Sequence, residues 1–221
     1  MAGTSKRSRR PAVHRGVELR CGMRFEEEAR AEGHLVVAGV DEVGRGALCG
    51  PVVAAAVVLG DGFDPEGLDD SKRLTRRKRE ALDERIRENA RAFAVGFAGP
   101  AEIDRVNILE ATLLAMRRAV LALSEMPDLL LVDALAVPGL DIPQRAIVKG
   151  DALSVSIAAA SIVAKVARDG LMRDLDREHP GYDLARNMGY GSEEHRAALR
   201  RLGPSTIHRR SFHGTQAWLF S

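Results

Sequence analysis

The sequence predicts an α/β domain in which helices cover a mixed sheet. Three observations predict it. Short apolar runs rich in Val, Ala and Leu alternate with longer segments whose apolar residues recur every three or four positions. The first two runs are joined by a short glycine-punctuated connection, which predicts an antiparallel pair. The later runs are separated by helical patterns, as in a layered α/β arrangement.

The elements follow in order. Leu35 to Val40 reads as a buried strand, with Asp41 and Glu42 at its end. Pro51 to Leu59, rich in Val and Ala, is the second strand. A charged amphipathic helix starts near Thr75, with Leu82 and Ile86 on one side. Arg91 to Ala98 is the third strand. Asn107 opens a helix to about Leu123, with Glu110 at the reciprocal capping position. Asp128 to Asp133 is a strand ending in a carboxylate, and Arg145 to Lys149 is a fifth. Leu153, Ile157, Ala160, Ala164, Ala167, Leu171 and Leu175 mark a long helix whose small residues permit close packing on the sheet. Gly181 to Gly191 reads as a turn-rich loop, and Glu193 to Leu202 as a last helix.

Composition narrows the function classes. With 221 residues, 45% of them hydrophobic, the chain supports one large core without disulfides. Two cysteines, Cys21 and Cys49, make neither a disulfide framework nor a structural zinc site alone, and fit a reducing cytoplasmic setting. No apolar run approaches the roughly 18 residues of a membrane span. Net charge is +2, but residues 1–24 carry seven basic residues against Glu18 alone. That segment is expected to be a disordered basic extension, leaving a slightly acidic body. Bulk charge is therefore not how the body would bind a polyanion.

Four carboxylates lie at strand ends or in the adjoining turns: Asp41, Glu42, Asp133 and, across Gly150 from the fifth strand, Asp151. Buried, unpaired carboxylates are costly, so a convergent group of them needs cations. Oxygen donors without a nearby Cys or His cluster select Mg²⁺ or Mn²⁺ over zinc. Two such ions would clamp a phosphodiester for attack by water. Each acid also has an ordinary reading: Asp151 as a helix cap, Asp133 as a turn residue, Asp41 and Glu42 as a solvated strand end. Spacing alone does not show that they converge. The Gly44–Gly50 loop superficially matches a dinucleotide-binding loop, but Pro51 leads into a strand rather than the required helix. Its glycines suit close approach of backbone amides to a ligand, with Arg45 offering charge to a phosphate.

Five motifs then carry a resemblance. Val40-Asp41-Glu42-Val43-Gly44-Arg45-Gly46 resembles the signature of the ribonuclease HII family. Asp69-Asp70-Ser71-Lys72-Arg73-Leu74 is similar to a second family motif, and Lys149-Gly150-Asp151 with Ile157-Ala158-Ala159-Ala160-Ser161 to a third. Gly189-Tyr190-Gly191 with His195, and Ile207-His208-Arg209 with Ser211-Phe212, complete the set in family order. The resemblance implies a ribonuclease H-like fold: a central mixed five-stranded sheet flanked by helices, with a C-terminal helical extension. It implies a catalytic domain over 25–215 and a tail at 216–221.

The resemblance also implies roles. Asp41, Glu42, Asp133 and Asp151 match the metal-binding carboxylates of two Mg²⁺ or Mn²⁺ ions. Gly44, Arg45 and Gly46 match the loop that contacts the ribonucleotide 2′-hydroxyl and flanking phosphates. Tyr190 matches a tyrosine that stacks at the RNA–DNA junction, and Lys72 and Lys149 match basic residues near the phosphates. His195, His208 and Arg209 receive no role. Ala134, Ser192 and Cys49 depart from the family's usual Gly, Thr and Ala without removing a ligand. The implied activity is endonucleolytic cleavage of RNA in RNA–DNA hybrids, and nicking 5′ of single ribonucleotides in duplex DNA, leaving 3′-hydroxyl and 5′-phosphate ends. The chain is expected to act as a monomer. Two alternatives are a ribonuclease HIII-like junction preference, disfavoured by so short a segment before the match, and a catalytically silent nucleic-acid-binding module, disfavoured by retention of all four acids. Gln216, Trp218, Leu219 and Phe220 offer a candidate sliding-clamp contact, weighed against the more ordinary reading of a tail packed on the domain.

Overall fold

The computed structural model describes residues 21–69 and 71–216. Five strands, β1 (Val37–Val43), β2 (Val52–Leu59), β3 (Ala90–Ala98), β4 (Leu129–Asp133) and β5 (Gln144–Ile147), form one sheet in the order β3-β2-β1-β4-β5. β1 pairs antiparallel with β2, and β2 with β3. β1 pairs in parallel with β4, and β4 with β5. The expected mixed sheet is thus a three-stranded meander joined to a parallel pair along β1.

Strand periodicity sorts the core into two layers. Val52, Ala54, Ala56 and Val58 of β2 face one layer with Ala111, Ala115, Met116 and Ala119. Those partners come from α4 (Ile108–Leu121). Ala55 and Val57 face the other layer with Ala159, Ala160 and Val163 of α5 (Val155–Glu178) and Ile86 of α2 (Arg76–Asn89). A strand covered on both faces reads as an unbroken apolar run, which is why β2 shows no polar alternation. Two glycines let the helices touch the sheet. A Cβ on Gly39 would lie 2.0 Å from the Ser156 carbonyl carbon, and one on Gly96 would lie 2.2 Å from the Ala115 oxygen.

The expected helices are present with modest shifts. Thr75 caps α2 by accepting the Lys78 N–H. Asn107 caps α4, accepting from Leu109 and Glu110 N–H. The expected reciprocal arrangement with Glu110 gives way to another partner, because the Asn107 N–H donates to Ile103 O of α3 (Pro100–Val106). The fifth strand ends at Ile147 rather than Lys149, which lies in a left-handed turn. The 181–191 loop contains one helical turn, α6 (Leu184–Asn187). α7 (Glu193–Leu202) and the short α8 (His213–Gln216) are the last elements among the described residues. Among the described residues no helix is long and apolar enough to cross a membrane.

One helix that sequence periodicity does not reveal, α1 (Arg24–Ala31), sets the start of α5. Its Glu26 is buried, and one carboxylate oxygen accepts from the Ser154 hydroxyl at 2.5 Å and the Ser156 N–H at 2.9 Å. Ser154 in turn accepts the Ile157 N–H and caps α5. A carboxylate beside the free N–H groups of a helix start is favourable. Ser154→Ala removes both bonds and is expected to lower stability by about 1–2 kcal/mol, read from urea unfolding. A change within about 0.5 kcal/mol would contradict it.

Candidate active site

The parallel register of β1 and β4 pairs Val40 with Val132, so Asp41 and Asp133 follow side by side at the same sheet end. β1 runs on through Asp41 and Glu42 to Val43, so these two acids belong to the strand itself rather than ending it. Asp133 closes β4, and its Oδ1 accepts the Gly150 N–H at 2.7 Å. That bond draws in the 3-10 turn Gly150–Ala152, which carries Asp151. Lys149 makes the bend with φ 60°, and Gly150 presses against Ile157. Asp151 is not the cap of the long helix; Ser154 is. Ala134, just after β4, adopts φ 56°, a conformation that glycine takes without strain.

The electrostatics show crowding of like charge. Asp41 is 4% exposed. Burial first, then the Glu42 charge, hold its carboxyl well above the usual range, and Asp133 adds to this. Hydrogen bonds from the Ser161 hydroxyl and the Glu42 N–H, the latter at 2.7 Å, oppose the shift. Glu42 is also raised, by burial first; Arg45, 3.4 Å away, works against it and Asp133 with it. Ser161 contacts the Ser71 hydroxyl at 2.9 Å, next to Lys72, whose ammonium lies 3.1 Å from Asp151 Oδ2. Asp41, Glu42 and Asp133 therefore sense one another, and Asp151 is tied in through Gly150. The donors are all hard oxygens, and the weakened acidity of Asp41 and Glu42 is that of a cluster short of positive charge. A divalent cation is the group that such a donor set fits.

The remaining predicted residues gather around two buried arginines. Gly44, at φ +93°, sits so close to Arg168 that a Cβ there would lie 2.1 Å from its Nε. The buried Arg168 donates to Pro51 O at 3.0 Å, Met188 O at 2.9 Å and Cys49 O at 3.4 Å. Arg209, also buried, donates to Gly50 O at 3.0 Å and Arg45 O at 2.8 Å. Carbonyl acceptors leave both cations underneutralised, and burial pulls both down, Arg209 to about 9. Tyr190 is 38% exposed, its ring centroid 5.4 Å from the Arg168 guanidinium carbon. The Leu48 N–H donates to Gly189 O at 2.8 Å and joins the two loops. Gly44, Arg45, Gly46 and Tyr190 thus share one scaffold, while Lys149 is exposed at the turn before Gly150.

Sequence reasoning missed Arg168. Its signal was available: Ala164, Arg168 and Met172 follow at steps of four on the buried face of α5. An arginine inside an apolar stripe needs acceptors, and the neighbouring loops supply them.

Comparison with known proteins gives the family. The model of the family described as Ribonuclease HII matches residues 38–215. A ribonuclease HII of Desulfitobacterium hafniense (strain Y51) is 56% identical over 197 residues, covering 89% of this chain and 76% of that protein. The solved ribonuclease H2 from Pyrococcus horikoshii OT3 superposes with a TM-score of 0.68 at 28% identity, covering 83% of this chain and 96% of that one. A ribonuclease HII from Archaeoglobus fulgidus, solved in complex with PCNA, gives 0.67 at 26% identity, covering 80% and 95%. The five-stranded mixed sheet, the acids at the end of its central β1–β4 pair and a match spanning most of the chain agree: the chain belongs to the ribonuclease HII family and is a ribonuclease H endonuclease.

Proposed function

We propose that Asp41, Glu42, Asp133 and Asp151 hold two divalent ions, Mg²⁺ or Mn²⁺, and that the chain nicks duplex DNA 5′ of an embedded ribonucleotide. It also cuts RNA in RNA–DNA hybrids. The observation that carries this reading is the β1–β4 register, which sets Asp41 beside Asp133 while Gly150 ties Asp151 to the same carboxylate. When bound, the ions supply charge neutralisation at the phosphate and an acidified water as nucleophile.

The chain's own groups do the rest. Asp41 and Glu42 shed protons that burial, and the charge of neighbouring acids, make them hold unusually well. Lys72 releases Asp151 and turns to a substrate phosphate, and Lys149 offers a second positive charge. Backbone groups of Gly44, Arg45 and Gly46 read the 2′-hydroxyl, the one feature that separates RNA from DNA at a single position. The Tyr190 ring, held by Arg168, stacks on the sugar–base step at the junction. Residues 25–215 form this catalytic unit, flanked by the basic segment 1–24 and the tail 216–221. It works as a monomer in the cytoplasm. The candidate clamp residues Trp218, Leu219 and Phe220, like residues 1–20, lie outside the described residues, as does the Gln216 side chain.

The deciding experiment is a nicking assay on a DNA duplex bearing one ribonucleotide, with Mg²⁺, with Mn²⁺ and with chelator. Nicking only with metal, on the 5′ side, is expected; nicking in chelator overturns the reading. Tyr190→Ala is expected to lower kcat/KM on that substrate by on the order of tenfold and to affect a continuous hybrid much less. Equal activity on both substrates would refute its role.

A further inference from the structure

Two histidines outside the acid cluster form a buried pair. His195 of α7 and His208, just before α8, are 0% and 1% exposed. Their proton positions follow from the groups at either end. The Ser205 N–H donates to His208 Nδ1 at 3.0 Å, so that nitrogen carries no proton. His195 Nδ1 lies 2.9 Å from the Tyr190 carbonyl, which only accepts, so that nitrogen carries one. A single proton remains for the 3.1 Å contact between the two Nε2 atoms, and it resides on His208.

Both rings are therefore neutral, each in one tautomer. A second proton between the Nε2 atoms would set N–H against N–H, and one on His208 Nδ1 would cost the bond from the Ser205 N–H. Burial agrees, lowering His195 and bringing His208 down to about 4. Cys49 lies alongside, with its sulfur and one nitrogen of each ring within 4.8 Å of one another. A soft metal bound there at Nε2 would require a proton on His208 Nδ1, where the Ser205 N–H already points. Burial also pushes the Cys49 thiol up to about 12, so it too keeps its proton. As it stands the cluster is a relay of hydrogen bonds.

The relay ends on the residue that matters to substrate choice. Its last acceptor is the Tyr190 carbonyl, which also accepts the Ser192 N–H at 2.8 Å. Its other end belongs to a segment that pairs His208 with Cys49, donates the Arg209 N–H to Leu48 O and accepts the Gly50 N–H at Ile207 O. One set of bonds thereby spans from the Gly44–Pro51 loop to Tyr190. Tyr182 packs its ring against both imidazoles, 4.8 Å from His208 and 6.3 Å from His195.

We propose that His195 and His208 are positioning residues that act through the Tyr190 carbonyl to fix the tyrosine ring for recognition of a single ribonucleotide in duplex DNA. This rests on the reading of Tyr190 given above. The test separates the two ring nitrogens of His195. His195→Asn places an amide where Nδ1 was and keeps the donor to Tyr190; His195→Gln reaches the His208 side and loses that donor. The readout is the ratio of kcat/KM on a one-ribonucleotide duplex to that on a continuous RNA–DNA hybrid, with folding checked by thermal melting.

His195→Gln is expected to lower the ratio about fivefold to tenfold, the size of one lost buried hydrogen bond. His195→Asn is expected to stay near the wild-type ratio. In a Tyr190→Ala background the Gln substitution is expected to leave the ratio where Tyr190→Ala alone puts it. If His195→Gln does not fold, His195→Phe keeps a ring beside Tyr182, loses the donor to Tyr190 and is expected to lower the ratio likewise. Equal loss on both substrates, or a Gln effect that persists without Tyr190, overturns the proposal. A Tyr190→Ala variant with an unchanged ratio would instead overturn the reading of Tyr190 itself.

Discussion

Asp41→Asn is expected to abolish nicking and, at the same time, to make the metal-free protein more stable than wild type. The two effects share one cause. Asp41 is buried beside Glu42 and Asp133, so its carboxylate is poorly solvated and repelled. Asparagine keeps the shape and can still accept from the Glu42 N–H, but carries no charge to hold a cation. Loss of that charge is expected to cost at least about a thousandfold in kcat/KM.

The stability effect has a definite sign. The native carboxyl is raised above its ordinary value of 3.8, so the native state binds the proton more tightly than the unfolded chain does. The ionised group therefore destabilises the metal-free protein in full above the raised native value. This penalty fades as pH falls through that value and is gone below the ordinary one. The melting temperature in chelator should favour the Asn variant at neutral pH, and its advantage should shrink as pH falls. Each kcal/mol of relief corresponds to roughly 2–4 °C in a chain of this length. Metal affinity should run the other way and rise with pH. Nicking at the wild-type rate, or a lower melting temperature than wild type in chelator at neutral pH, would contradict the crowded-acid account.

Gly39→Ala is expected to be the most damaging single-carbon change in the sheet. The added carbon would lie 2.0 Å and 2.1 Å from the carbonyl carbon and oxygen of Ser156, and 2.5 Å from Ile157 N. These are backbone atoms of α5, which no rotamer change moves. The helix would have to lift from the sheet, carrying Ser161 away from Asp41 and Arg168 away from Gly44. A cost of about 3 kcal/mol is expected, with a fall in melting temperature of roughly 6–12 °C. Gly46→Ala is the matched control, because a Cβ there meets nothing within 4 Å. Its stability should stay within about 0.5 kcal/mol of wild type. Equal melting temperatures for both variants would refute the close-packing argument.

Much of the fold was legible because its signals are local. The Val/Ala run of β2, the Thr75 cap and the small residues of α5 each announce an element within a few residues of sequence. α1 was not legible, because Glu26 and Ala29 are its buried residues and a buried glutamate reads as surface. α3 carries local marks of a helix start, Pro100 at its first turn and Glu102 bonded to the Gly99 N–H, but is too short to show a periodic apolar face. The gathering of the acids was beyond periodicity altogether. It depends on β1 pairing with β4, a partnership between strands far apart in the chain. Their place at strand ends and adjoining turns singled out the four acids, the family resemblance joined them into one site, and what relates Asp41 to Asp133 is the register Val40↔Val132. The two histidines received no role because each looks like an ordinary core residue until its partner is seen.

The central place of β1 has a consequence for how the chain acquires its chemistry. β1 and β2 are joined by a short loop and β3 follows after α2, so these three strands can pair before β4 exists. That early meander contains Asp41 and Glu42 but neither Asp133 nor Asp151. The other half of the acid cluster comes only when β4 docks on the opposite edge of β1, after α2, α3 and α4 have been synthesised. If the four acids are the cleaving centre, as proposed, a chain that has not yet docked β4 on β1 holds only half of it. Its activity would then arise only with that long-range closure of the sheet.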